Sequence, residues 1–78
     1  MKDYQKRIEI NPKILLGKPV IRGTRIPVEL IIKLIAQGWQ DKEIIKEYPS
    51  IKKLDIRAAL VYAEKLVEEE EVYPILAK

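Results

Sequence analysis

The sequence predicts a mainly α fold, three short helices behind a β-strand and a β-hairpin confined to the N-terminal third. Three observations carry this. The β-branched Val20, Ile21, Ile26 and Val28 flank Arg22-Gly23-Thr24-Arg25, the pattern of two short strands meeting at a glycine turn. Apolar residues then recur at helical spacing in three successive stretches, and Gly38 and Pro49 punctuate them.

Taken in order, Arg7-Ile8-Glu9-Ile10 alternates polar and apolar, which predicts a short strand with Ile8 and Ile10 facing inward. Asn11-Pro12 breaks it, and the hairpin follows, so the β region spans 8–28. The first helix is expected over 27–37. Pro27 suits the first helical position, where its missing N–H costs nothing. Glu29 lies in the first turn, where the helix dipole favours a carboxylate, and Gly38 is placed as the stop. Its polar residues Glu29, Lys33 and Gln37 form one narrow stripe. Val28, Leu30, Ile31, Ile32, Leu34, Ile35 and Ala36 fill the rest of the circumference, more apolar surface than one small core absorbs. Part of this helix is therefore expected to face another subunit.

Trp39 is expected to cap the core rather than to recognise a partner. The second helix is expected over 41–48, with Ile44, Ile45 and Tyr48 inward and Pro49 ending it. After the turn Pro49-Ser50-Ile51, a third helix is expected over 53–70. Ile56, Leu60, Ala63, Leu66 and Val67 form its buried face, and Ala58 and Ala59 allow close approach. The tail at 72–78 opens with the apolar run Val72-Tyr73-Pro74-Ile75-Leu76, which either folds back or docks elsewhere.

At 78 residues the chain reads as a single domain, 1–78, near the size at which a second subunit is often recruited to bury more surface. Hydrophobic residues at 47% and charged residues at 35% are a globular composition. The absence of Cys and His removes disulfides, thiolate metal sites, thiol nucleophiles and imidazole acid–base chemistry. Ser50, the only serine, sits in a turn without a base nearby in sequence. Glu68 to Glu71 are neighbours on a helix and point in different directions, so they do not converge on a metal. The expectation is a non-enzyme without metal, cofactor or small-molecule substrate. No apolar run spans a bilayer and the N-terminus lacks a signal-peptide core, which predicts a cytoplasmic protein.

The net charge of +3 hides an asymmetry, because residues 1–25 carry seven Lys or Arg and two acidic side chains. Arg22 and Arg25 sit on the small hairpin platform as candidate partner-binding groups. The competing reading puts them in internal salt bridges to Asp55 or Glu29. Helices 41–48 and 53–70, joined by a brief turn, have the outline of a helix-turn-helix. Lys52, Lys53 and Arg57 cluster where a reading helix touches DNA, although such clusters are also commonly just hydrated.

The run Gly17-Lys18-Pro19-Val20-Ile21-Arg22-Gly23-Thr24-Arg25-Ile26-Pro27-Val28, then Tyr48-Pro49, then Asp55-Ile56-Arg57-Ala58-Ala59-Leu60, closely resembles the prokaryotic family known as domain of unknown function 433. The likeness runs from about Asn11 to Leu66. It implies a homeodomain-like three-helix fold with an N-terminal β extension, associating as a homodimer. It also implies an antitoxin of VapB type, partnered by a PIN-like ribonuclease toxin and bound to its own operator DNA. Where family members carry Ser or Thr, this chain has Gln40 and Lys52, so the caps of the last two helices are missing or supplied otherwise, with Asp41 and Asp55 the candidates. In the expected mechanism, Arg22 or Arg25 pairs with the carboxylates of the acidic nuclease pocket while Lys52, Lys53 and Arg57 contact DNA. The alternative function is a structural or adaptor dimerisation module without nucleic-acid binding.

Overall fold

The structure, a computed structural model, describes residues 4–69. Its elements are α1 (Tyr4–Arg7), β1 (Ile8–Glu9), a 3-10 turn (Leu15–Gly17), β2 (Val20–Ile21), α2 (Val28–Ala36), α3 (Asp41–Glu47) and α4 (Lys53–Glu69). The result is a mainly helical protein with a short two-stranded antiparallel sheet. The tail expected at 72–78 lies outside the described residues.

Four helices stand where three were expected. The addition is α1, one turn that lies against α4. It takes Arg7 out of the expected strand, and β1 is correspondingly short.

The sheet is built around β2. Ile8 pairs with Ile21 and Glu9 with Val20, antiparallel. On the other edge of β2 the expected hairpin partner shrinks to a single bridge, Val20 to Pro27, supported by Ile21 N–H to Ile26 C=O at 3.0 Å. Ile8, Val20 and Ile21 are buried, whereas Ile10 is 60% exposed. The inward reading of Ile10 is therefore corrected: β2 offers only two rungs, and beyond Glu9 the chain turns away through Asn11, whose Oδ1 accepts from the Lys13 amide at 2.9 Å.

The 22–25 turn is fixed by its own backbone. Thr24 N–H donates to Ile21 C=O at 3.0 Å, and Gly23 has φ +81°. A turn with negative φ before a positive one is of type II, and glycine meets its requirement without steric cost. Thr24 Oγ1 braces it further, donating to Ile21 C=O and accepting from the Ile26 amide. Pro27 is the N-cap of α2, not its first helical residue, with extended φ −74° and ψ 147°. The Val20–Pro27 bridge and the Val28 amide's bond to Pro19 C=O hold the chain extended through Pro27, which delays the helix by one residue.

Val28, Ile31 and Leu34 bury one face of α2, while Glu29, Lys33 and Gln37 stay exposed. The helix closes in a Schellman motif: Gly38 N–H reaches Ile35 C=O and Trp39 N–H reaches Leu34 C=O, with Gly38 at φ +96°. Trp39 packs half-buried on the core. Ile44 of α3, Ile51 of the following turn, and Ile56, Ala58 and Ala59 of α4 complete that core.

The buried face of α4 differs from expectation. Asp55, Ile56, Ala58 and Ala59 are buried, but Leu60 and Leu66 are each 42% exposed and Val67 57%. With 17 residues, α4 is about 25 Å long and outruns the nine residues of α2 and seven of α3, which leaves Leu66 and Val67 largely uncovered, whereas Leu60 sits on the outward side with Lys53 and Arg57.

Candidate functional site

The start of α4 is set by three neighbouring features. Pro49 follows the Tyr48 C-cap of α3, the Ile51 amide closes a turn onto Tyr48 C=O at 2.9 Å, and the Ile51 side chain is buried. Asp55 Oδ2 then accepts from the Lys52 amide at 2.8 Å, the backward half of a capping box. The carboxylate thereby satisfies the amide of Lys52 itself, the reciprocal half of the cap that a Ser or Thr would have begun. At α3 the same role falls to Glu43, whose Oε1 accepts from the Gln40 amide at 2.7 Å, and not to Asp41.

This geometry leaves Lys52, Lys53 and Arg57 exposed. Lys53 and Arg57, one turn apart, border a concave surface of about 480 Å³ together with Leu54, Leu60 and Asp41. Among the described residues none of the three cations makes a side-chain hydrogen bond or ion pair.

Arg22 and Arg25 are also exposed, but differently held. Arg22 Nε donates to Lys6 C=O at 2.6 Å, and the Arg22 amide donates to Arg7 C=O at 2.8 Å, tying the turn to α1. Arg25 has no side-chain partner among the described residues. The internal salt bridges considered for these two arginines go elsewhere. Asp55 Oδ1 takes Arg7 Nη1 at 3.0 Å, because α1 lies over the start of α4, and Glu29 takes Lys18 Nζ at 2.9 Å. The second pair is exposed on both sides and contributes little.

Arg22 shares a cleft of about 390 Å³ with Lys6, Arg7 and Asp55. Lys6 and Arg7 were not singled out in the sequence, and neither was the burial of Asp55. A signal for the last existed: Asp55 is followed at i+3 and i+4 by Ala58 and Ala59, so it shares their face, where a carboxylate requires partners. No buried side-chain polar atom lacks a hydrogen bond among the described residues.

A third depression, of about 450 Å³, lies between α2 and the outer half of α4. Pro19, Val28, Ile32, Tyr62, Ala63 and Leu66 give it an apolar floor, with the Lys18–Glu29 pair at the rim. Among the described residues no three acidic side chains gather where they could hold a metal ion, and no helix is long and apolar enough to cross a membrane.

A solved structure shares this architecture, and two further proteins are similar in sequence. A protein of Anabaena variabilis, whose crystal structure is described as that of a DUF433 member, superposes with a TM-score of 0.75 at 38% identity, over 83% of this chain and 64% of that one. The uncharacterized protein y4eO of Sinorhizobium fredii is 41% identical over 54 residues, which is 69% of this chain and 24% of y4eO. An uncharacterized protein of Archaeoglobus fulgidus is 45% identical over 29 residues, 37% of this chain and 81% of that protein. The chain thus spans under a quarter of y4eO and less than two thirds of the Anabaena protein. The family model for "Protein of unknown function (DUF433)" matches residues 8–63, from β1 through the glycine turn and past the buried carboxylate of α4, and the chain belongs to that family.

Proposed function

We propose that the chain is a non-catalytic, antitoxin-like DNA-binding protein. In this reading a cytoplasmic homodimer with a homeodomain-like arrangement of α2, α3 and α4 sets two copies of the α4 start against operator half-sites. The observation that supports it is the triad Lys52, Lys53 and Arg57, exposed at the start of a helix that follows a short helix and a turn, with their charges uncompensated among the described residues. Surface cations without carboxylate partners are available to phosphates at no cost of breaking an ion pair. The exposed 22–25 turn would meet the acidic metal-binding pocket of a PIN-like ribonuclease, where a guanidinium pairs with carboxylates in two-pronged fashion. Either guanidinium can serve: Arg25 has no internal side-chain partner among the described residues, and Arg22 is held only through Nε, which leaves both its Nη groups open.

Fluorescence anisotropy with the chain's own upstream DNA tests the reading. Binding at low salt that weakens steeply as salt rises, and that drops at least tenfold in the Lys53→Ala/Arg57→Ala double variant, is the expected result. Failure of the unaltered protein to bind any such fragment at low salt rejects it. Co-expression with the neighbouring nuclease tests the toxin half, and undiminished protection by Arg25→Ala counts against that contact.

The apolar depression between α2 and α4 favours a second reading, an adaptor dimer without nucleic-acid binding. Its association would be insensitive to salt where DNA binding is not.

A further inference from the structure

Lys6, Arg7, Arg22 and Asp55 meet in one cleft although they come from three separate parts of the chain: the end of α1, the turn after β2 and the first turn of α4. Three of the four are cations. The single carboxylate is engaged at both oxygens, one accepting from Arg7 Nη1 and the other from the Lys52 amide, and it makes no hydrogen bond to Lys6 or Arg22. Its one negative charge offsets one of the three cations.

The two guanidinium groups are held in place before any ligand arrives. Arg22 is anchored through Nε to Lys6 C=O, which leaves both its Nη groups without a partner among the described residues. Arg7 is anchored through Nη1 to Asp55, which leaves Nε and Nη2. Lys6 adds an exposed ammonium on the same rim. Anchoring each arginine through one donor while its other donors remain open reduces the conformational entropy that an incoming anion must overcome. With Arg7 paired to Asp55, the cleft keeps an excess of two positive charges, from Lys6 and Arg22, whose mutual repulsion an entering anion relieves.

From this geometry we propose that the cleft is a phosphate-binding site. A tetrahedral phosphate presents oxygens to three donors at once, whereas a planar carboxylate satisfies one fork and leaves the others open. Asp55 also connects the cleft to the start of α4, because the carboxylate that positions Arg7 caps the helix carrying Lys53 and Arg57. The phosphate is either one in a nucleic-acid backbone lying alongside α4 or a free phosphate or phosphomonoester. Only the first source rests on the DNA-binding reading.

The test has two arms. In the first, inorganic phosphate is titrated into the nitrogen-15-labelled protein at constant ionic strength, with chloride as the control, and side-chain and backbone resonances are followed. Saturable shifts at Lys6, Arg7 and Arg22 are expected, reduced in Lys6→Ala and in Arg22→Gln. Lys6→Ala keeps the backbone carbonyl that anchors Arg22, so the fold survives that variant. In the second arm, the salt dependence of DNA affinity is compared between the unaltered protein and Lys6→Ala, and loss of one phosphate contact lowers the slope of log affinity against log salt by about 0.9.

Phosphate shifts together with a reduced slope assign the cleft to a backbone phosphate, as does a reduced slope alone. Phosphate shifts with an unchanged slope assign it to a free phosphate or phosphomonoester. If neither the shifts nor the slope respond to Lys6→Ala and Arg22→Gln, the proposal is overturned while the DNA reading stands. If the protein binds no DNA at all, that reading fails and the phosphate titration decides alone.

Discussion

At the scale of single residues, Asp55 bears more of the structure than any other polar side chain described. Its relative exposure is 6%, and its two oxygens serve two elements at once, the α4 cap and the α1 guanidinium. Asp55→Ala leaves a part-buried arginine and a helix-initiating amide unpaired, and is expected to cost roughly 2–3 kcal/mol in urea unfolding. Asp55→Asn keeps an acceptor for the Lys52 amide but turns an NH2 donor toward Arg7 Nη1, so the charge and the arginine bond are both lost, and a loss of about 1–2 kcal/mol is expected. Leu16 is the opposite case. It is 96% exposed and sits at φ 58° and ψ 32°, the left-handed region that disfavours a branched side chain, next to Leu15 at φ 50°. Nothing is buried by this leucine, so Leu16→Gly removes strain at no packing cost and should raise the thermal midpoint, with a gain of about 0.5–1 kcal/mol.

At the scale of elements, what was legible is what the sequence punctuates. α2 lies between Pro27 and Gly38, and α3 stops before Pro49, because a fixed φ, a left-handed cap and a missing donor are properties of the residues themselves. α1 is a single turn, too short to show an apolar period, and it lies on α4 and bonds to the 22–25 turn. α4 misleads twice: Leu66 and Val67 fall at inward spacing, but spacing does not say where the neighbouring elements end, and Leu60 continues from Ile56 at the edge of a buried face that runs through Asp55, Ala58 and Ala59. The cleft at Lys6, Arg7 and Arg22 was illegible because no local pattern brings residues 6 and 22 together; Asp55 could have been placed by its apolar company. The cap of α3 supplies a test at this scale. Glu43→Ala removes the acceptor of the Gln40 amide, and about 0.5–1 kcal/mol should be lost, whereas Asp41→Ala, with no such contact, should change less.

At the scale of the molecule, α1 at the start of the described residues packs on α4 at their end, and β1 pairs with β2 between them. The same packing gathers the basic N-terminal residues beside the α4 start, which turns a charge asymmetry along the sequence into a local concentration of cations in space. The Arg7–Asp55 pair spans 48 positions of sequence, while the Lys52–Asp55 cap spans three. These two bonds to one carboxylate therefore belong to different moments of folding. The cap closes a minimal loop and can form with the nascent helix, whereas the ion pair waits until α1 has docked on α4. Arg7→Gln is accordingly expected to accelerate unfolding while leaving the refolding limb of the chevron nearly unchanged, and Asp55→Ala should slow refolding as well. Asp55 then acts as a timer as well as a tie, with one oxygen engaged early and the other fastening the finished molecule.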